Sequence, residues 1–267
     1  MSDSAIISEP VTRFGFGENW TRFLSILNHK RVSIAEQSLK EMLQAQDLKD
    51  RTFLDVGCGS GLFSLAARRL GARVYSFDYD PESVACAQEL KRRYCPLDAE
   101  WTITMGSALN KDYLQSLGQF DVVYSWGVLH HTGAMWQAMD NIHALVKPGG
   151  KLALAIYNAQ GWKSSYWKSV KMAYNKNRAL SIVLTLMHIP YLIGARWFVR
   201  MLTCRRSLER GMSLWYDMID WLGGYPFEVA KPEEIRAFYQ NKGFVLSQLK
   251  TCGGRHGCNE FVFVRAE

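Results

Sequence analysis

The chain holds six cysteines, Cys58, Cys86, Cys95, Cys204, Cys252 and Cys258, and no two stand as CxxC or at another paired-ligand spacing. That absence argues against a structural zinc site, and a chain of 267 residues forms its core without disulfide staples. The N-terminus lacks a basic start followed by an apolar run. No signal peptide is therefore expected, and a reducing cytoplasm is the default compartment. No apolar stretch reaches the ~20 residues of a membrane span. The nearest, Leu180–Ile193, is interrupted by His188 and Pro190. Repeats and low-complexity tracts are also missing. With 48% hydrophobic and 21% charged residues, a mostly disordered chain is excluded.

Positive charge is abundant in one place. The chain has 32 basic and 25 acidic residues, a net charge of +7. Residues 151–210 hold eleven Lys/Arg and a single acid, Glu209, while the remainder is slightly acidic. A localised excess points to a local partner rather than to general polyanion binding.

The hydrophobic pattern predicts helix over residues 20–46, then an alternation. Strands are expected at Thr52–Val56, Arg73–Phe77, Trp101–Met105, Phe120–Trp126 and Lys151–Tyr157, and helices at Leu62–Leu70, Pro81–Tyr94 and Met135–Val146. Lys147-Pro148-Gly149-Gly150 reads as the stop of the last of these helices. A helix over Lys231–Lys242 and a hairpin of Phe244–Thr251 with Glu260–Val264 close the chain. The fold class is α/β: a Rossmann-like, seven-stranded, mostly parallel sheet with an antiparallel C-terminal hairpin and a helical insertion after strand 5. Four segments are expected: a helical lid (1–48), a nucleotide-binding core (49–157), a basic and apolar helical insertion (158–227), and a helix with hairpin completing the core (228–267).

Phe53-Leu-Asp-Val-Gly-Cys-Gly-Ser-Gly-Leu-Phe63 carries the functional signal. A strand delivers Asp55, Gly57, Gly59 and Gly61 form a turn, and a helix follows. Glycines permit positive φ and close approach of a ligand, and the helix N-terminus favours an anionic group. Asp78, 21 residues after Gly57, ends the next strand, where a carboxylate can accept ribose hydroxyls. The spacing is GxGxG, with Leu62 where a dinucleotide fingerprint has its third glycine, so NAD is disfavoured. No Gly-Lys-Ser/Thr follows, which excludes a P-loop.

Leu54-Asp-Val-Gly-Cys-Gly-Ser-Gly61 resembles motif I of the class I S-adenosylmethionine (SAM) methyltransferases. Phe77-Asp-Tyr-Asp-Pro81, Gly106-Ser-Ala108, Phe120-Asp-Val-Val-Tyr-Ser-Trp126 with Val128-Leu-His-His131, and Leu145-Val-Lys-Pro-Gly-Gly-Lys-Leu152 resemble later family segments in the same order. The flavour is that of the small-molecule methyltransferases of ubiquinone and menaquinone biosynthesis. The resemblance implies SAM as cofactor. Asp55, Gly57, Cys58, Gly59 and Gly61 would lie at its methionine end, Asp78 at the ribose, Tyr79 over the adenine and Ser107 and Ala108 beside it, with Trp126 a further cofactor contact. Ser107 stands where many relatives carry an acid. Asp55 has an alternative reading as a cap on the turn.

A hydroxyl acceptor would need a base. His130 and His131 follow strand 4 and are candidates, with a purely pocket-shaping role as the alternative. His256, in the hairpin loop, approaches the substrate or is an ordinary turn residue. His143 reads as structural. No metal triad is evident. Aromatic residues flank the core: Phe14, Phe16 and Trp20 before it, and Trp215, Tyr216, Trp221, Tyr225 and Phe227 after the insertion. Of these Trp20, Trp215, Tyr216 and Tyr225 are candidate substrate contacts, with core packing as the competing account; Asp217 and Asp220 orient a polar substrate group or are caps.

The insertion places Leu180–Ile193 between Lys163, Lys168, Lys171, Lys176, Arg178 and Arg196, Arg200, Arg205, Arg206, with Trp167, Tyr174, Tyr191 and Trp197 nearby. That composition suits either a lid packed on the domain or peripheral contact of 163–206 with an anionic membrane. The leading expectation is a small-molecule, O-directed methyltransferase acting on an aromatic or lipophilic acceptor. An RNA methyltransferase is the second reading, weakened because Ser125-Trp-Gly-Val128 replaces a base-amine motif of the (N/D)PPY type; nucleic acid is not the expected partner. A non-catalytic SAM-binding regulator is the third.

Overall fold

The computed structural model describes residues 14–16, 20, 24–194, 214–254 and 257–267, without the side chains of 214, 216 and 217. Helix α1 (His29–Leu43) opens on Asn28, whose side chain accepts the Arg31 amide at 3.1 Å. Then come β1 (Thr52–Val56), α2 (Leu62–Arg69), β2 (Arg73–Asp78), α3 (Pro81–Tyr94), β3 (Trp101–Met105), α4 (Lys111–Ser116) and β4 (Phe120–Trp126). Helix α3 starts with Pro81 in its first turn, where a missing N–H costs nothing, and Asp80 caps it by accepting from the Glu82 amide. A 3₁₀ turn (Leu129–His131), α5 (Met135–His143) and β5 (Val146–Tyr157) follow. The insertion supplies α6 (Trp162–Tyr174), α7 (Arg178–Ile189), a π-helical turn (Pro190–Gly194) and α8 (Leu214–Gly223). Helix α9 (Pro232–Gln240), β6 (Phe244–Lys250) and β7 (Cys258–Arg265) end the chain.

The sheet order is β3-β2-β1-β4-β5-β7-β6. The first five strands are parallel, and β7 runs antiparallel between β5 and β6. The near-continuous apolar runs of β1 and β4 match burial on both faces. One face packs Leu39, Leu43, Leu65 and Leu90 from α1–α3 against Phe53 and Tyr124. The other packs Met139, Ile142, Ile235 and Tyr239 from α5 and α9 against Leu154 and Phe263. A third cluster, Trp167, Val170, Leu192, Met218, Leu222 and Phe227, is the insertion's own core and reaches Tyr157 at the end of β5.

The entry to β5 and the segment after β3 differ from the sequence expectation. Helix α5 ends at His143, and Val146–Gly150, read as a helix end and stop, already belongs to β5. Phe120 pairs with Val146 before the register shifts, so the Pro-Gly-Gly stretch is an irregular strand entry. The short helix α4 was not anticipated; Asn110 starts it by accepting the Tyr113 amide at 3.0 Å. Expectations resting on Cys204, Arg196, Arg200, Arg205, Arg206, Trp197 and His256 lie outside the described residues.

Candidate functional site

The β1–α2 turn is built for close backbone approach. Gly57, Gly59 and Gly61 have φ of +75°, +52° and +77°, values that penalise any side chain. The Gly57 and Cys58 amides both donate to Phe77 O, at 2.9 and 3.0 Å, tying the turn to the end of β2. A Cβ on Gly61 would lie 2.9 Å from that of Ala87, so this glycine lets α2 start against α3. Asp78 organises the other side. Its Oδ2 accepts the Gly59 amide at 2.9 Å and its Oδ1 the Asp80 amide at 3.0 Å. Burial pushes its carboxyl up to about 6 despite these bonds.

Asp78 lines a cleft of about 360 Å³, counted to its open mouth, at the carboxyl ends of β1, β2 and β4. Gly57, Tyr79, Ser107, Ala108, Val128 and Thr132 are among the other lining residues. This is where open α/β sheets place ligands. Tyr79 is 62% exposed beside Asp78 on the cleft wall. The Ser107 hydroxyl accepts the Leu109 amide at 3.2 Å, which fixes the turn after β3. Gly59 and Gly61 stand behind the cleft wall. Trp20 lies over Gly59, its indole Nε1 2.9 Å from where a Cβ would be.

Asp55 is placed differently. It is buried under α2, where Ser64 Oγ donates to its Oδ2 at 2.5 Å. The chain continues through Ser76 Oγ, 2.8 Å from Ser64, to Trp101 Nε1, 2.9 Å from Ser76. Burial pushes Asp55 up to about 7, with the Ser64 bond opposing and the nearby Asp78 charge adding to the rise. Ser64, Ser76 and Trp101 come from three elements, and nothing in the linear pattern connects them.

The two histidines after β4 take distinct roles. His130 is fully buried; its Nδ1 accepts the Tyr157 amide at 3.3 Å, so its proton sits on Nε2, which has no partner. The Nδ1 of His131 lies 2.7 Å from Pro226 O and must donate to it, which leaves a lone pair on Nε2. Burial, the neighbouring histidine and the Lys171 charge hold His130 well below its ordinary value. Burial and Lys171 bring His131 down to about 3. Glu228 fixes this loop from the far side. It accepts the Met135 amide at 3.0 Å, and its own amide donates to His130 O at 3.0 Å.

The flanking aromatics divide. Phe14 donates its amide to Tyr225 O at 3.0 Å, and the Phe16 ring lies 5.0 Å from His131, so residues 14–16 lie over the histidines. Trp126 points away from the cleft; it packs on the α1–α3 face, and its Nε1 lies 3.4 Å from Glu260 Oε1. Trp215 is 47% exposed on α8, and the Tyr216 side chain is outside the described residues, as is His256. Cys58 is buried within the turn. Lys171, expected among the surface cations of the insertion, is fully buried instead, because α8 and the 225–229 segment fold back over α6. Among the described residues no cluster of three His, Cys, Asp or Glu side chains has the arrangement of a metal site.

A parallel sheet whose first turn is a glycine cradle, with a buried carboxylate at the end of the neighbouring strand, defines a Rossmann-like nucleoside-cofactor protein. The chain matches the methyltransferase-domain family over residues 27–196 and belongs to it, within the class I SAM-dependent methyltransferases. It is 31% identical over 151 residues to a ribosomal protein L11 methyltransferase of Photobacterium profundum, covering 56% of this chain and 44% of that one. It is 29% identical over 171 residues to a ubiquinone biosynthesis O-methyltransferase of Coxiella burnetii, covering 59% and 65%. The chain thus spans about half the length of the curated relatives it matches. Its fold superposes on magnesium protoporphyrin IX methyltransferase from Synechocystis PCC 6803 with bound SAH, at a TM-score of 0.55 and 16% identity over 93% of this chain and 94% of that one.

Proposed function

We propose that the chain transfers a methyl group from SAM to an oxygen of a small aromatic or lipophilic acceptor. The observation that carries the reading is the Asp78 carboxylate bonded to the glycine turn at the floor of the cleft. When bound, SAM supplies an already electrophilic methyl group, so the protein's work is to hold the acceptor in line and exclude water. Asp78 keeps lone-pair capacity beyond its bonds to the Gly59, Tyr79 and Asp80 amides and would accept a ribose hydroxyl with it. Tyr79 would cover the adenine, with Ser107 and Ala108 at its edge. Asp55 would act through the α2 N-terminus, by fixing the turn that faces the methionine end. Of the two histidines, His131 is the one with a lone pair on Nε2, which can accept a hydrogen bond from the acceptor's hydroxyl and orient it; at about 3 it is too weak a base to remove the proton, and His130 can only donate. Residues 14–16 and Trp20 would cover the transfer point.

Calorimetry with SAM and with S-adenosylhomocysteine (SAH) tests the reading, followed by methyl transfer from labelled SAM to phenols and quinols. Saturable heat with both nucleosides and label in a phenol are expected. No heat with either would sink the assignment. Binding without label in any acceptor would favour the regulator reading, and label in RNA would favour the nucleic-acid one.

The exposed face of α7 supports a reading of where the chain acts. Ile182, Val183, Leu186 and Met187, 50–67% exposed, form one apolar face, and Lys163, Lys168, Lys176 and Arg178 are exposed nearby. No helix among the described residues is long and apolar enough to cross a membrane. An apolar helix face amid cations favours peripheral contact with an anionic bilayer, which would present a lipophilic acceptor. The chain should co-sediment with phosphatidylglycerol-containing vesicles and not with pure phosphatidylcholine. The double substitution Leu186→Glu/Met187→Glu should lower binding by about ten-fold or more, from the lost apolar burial. Equal sedimentation of both proteins would refute this contact.

A further inference from the structure

A lysine on a helix with exposed Lys163 and Lys168 ordinarily reaches water, whereas Lys171 is 0% exposed. Its ammonium donates to Trp221 O and lies 4.5 Å from the Trp221 ring centre, 4.8 Å from Phe227 and 5.6 Å from Tyr157. Asp220 on α8 and Cys258 on β7 act on it through their charge. The Tyr157 ring also packs on His130, with centroids 3.8 Å apart and the planes tilted by 34°. His130 carries the buried Nε2–H that has no acceptor. One aromatic cluster thus holds a buried cation with a single carbonyl for partner and a buried N–H donor with none. Lys171 has donors to spare beyond Trp221 O and His130 has an N–H with no acceptor, so an anionic oxygen would relieve both desolvation costs.

We propose that this cluster recognises the methyl acceptor by an anionic oxygen, so that the acceptor is a small aromatic acid or acidic phenol. Its charge would be met by Lys171 and His130 and its ring by Tyr157, Trp221 and Phe227. The inference rests on the methyltransferase reading and narrows its substrate class. His131 adjoins the cluster, its ring 4.5 Å from His130 and 5.4 Å edge-on from Tyr157, so an acceptor anchored here lies beside the His131 ring. Burial brings Lys171 down to about 7, with Asp220 and Cys258 opposing. It therefore binds an acid by taking up a proton above that pH. The titratable neighbours facing it are His130 and His131 on the β4 loop, Tyr157 on β5, Asp220 on α8 and Cys258 on β7.

The test is calorimetry on SAH-saturated protein with benzoate, 4-hydroxybenzoate and 2-naphthoate, each paired with its neutral amide. At least one acid should bind about ten-fold or more tighter than its amide. At pH 8, buffers of different ionisation heat should reveal uptake of about one proton with the acid. Lys171→Met, which keeps the unbranched stem, should lose both the preference and the proton uptake while its SAH affinity is unchanged. Equal binding of acids and amides, including no binding of either, overturns the proposal. So does an unchanged preference in Lys171→Met. Failure of the wild-type protein to bind SAH would instead remove the methyltransferase reading, and this inference with it.

Discussion

Asp78→Ala will weaken SAH and SAM binding by about 100-fold or more, the equivalent of two hydrogen bonds to a charged group at about 1.5–3 kcal/mol each. The carboxylate holds the Gly59 amide at 2.9 Å and the Asp80 amide at 3.0 Å, so truncation also frees the turn and the α3 cap. Asp78→Asn keeps the shape and one acceptor oxygen and should cost about ten-fold. The same residue predicts a pH dependence. Burial pushes Asp78 up to about 6, and the nucleoside binds the ionised form, so affinity falls as pH drops through that value. Between pH 7 and pH 5 the loss should be about ten-fold. Asp55, raised to about 7, titrates in the same window. Asp55→Asn separates the two, because a dependence owed to Asp78 survives it. Calorimetry at pH 5, 6 and 7 on the three variants, with circular dichroism to check folding, decides the matter. Wild-type affinity in Asp78→Ala would leave the cleft without its principal contact.

The parts of this site that were legible in the sequence are those that chain proximity builds. A strand, a glycine turn and a helix N-terminus occupy contiguous residues 52–69, and Asp78 closes the next strand, so pattern alone places them together. The central strands β1, β4 and β5 were legible because burial on both faces leaves almost continuous apolar runs, while β2 and β3 were placed by the strand–helix rhythm around them. What was not legible is what returning segments create. The Asp55–Ser64–Ser76–Trp101 chain draws on β1, α2, β2 and β3, and a serine in a helix reads as neutral. Lys171 reads as one more cation in a basic helix until α8 lays Trp221 over it. His130 and His131 were recognised as a pair, yet their opposite tautomers depend on the Tyr157 amide and Pro226 O, which arrive from β5 and from 95 residues along the chain.

Lys171→Met will abolish the pH dependence of stability that this position creates. The lysine is fully buried, and its folded value of about 7 lies below the 10.5 of an unperturbed lysine. The unfolded chain therefore binds more protons between those values, and stability rises with pH across that window. Below pH 7 the whole cost is present, an upper figure of about 5 kcal/mol at about 1.4 kcal/mol per pH unit of displacement. Against total stabilities of about 5–15 kcal/mol this is a large fraction. Methionine removes it, and removes also the bond to Trp221 O and the aromatic contacts, together about 1–3 kcal/mol in the opposite sense and independent of protonation only in the first approximation. The variant should thus be more stable than wild type by about 2–4 kcal/mol at pH 6, and equal or slightly less stable at pH 10. Asp55 and Asp78 contribute with the other sign: their folded values lie above 3.8, so stability falls as pH rises from about 4 to about 7. That contribution is common to both proteins and cancels in the difference. His130 and His131, now depressed partly by the Lys171 charge, should titrate closer to 6.5 in the variant, which adds to its advantage at pH 6. Urea unfolding of both proteins at pH 6, 8 and 10 measures the difference directly. Parallel curves would mean that the buried nitrogen is not the group that titrates. A crossing ties the aromatic cluster's cost to one proton, the proton an anionic acceptor would hold in place.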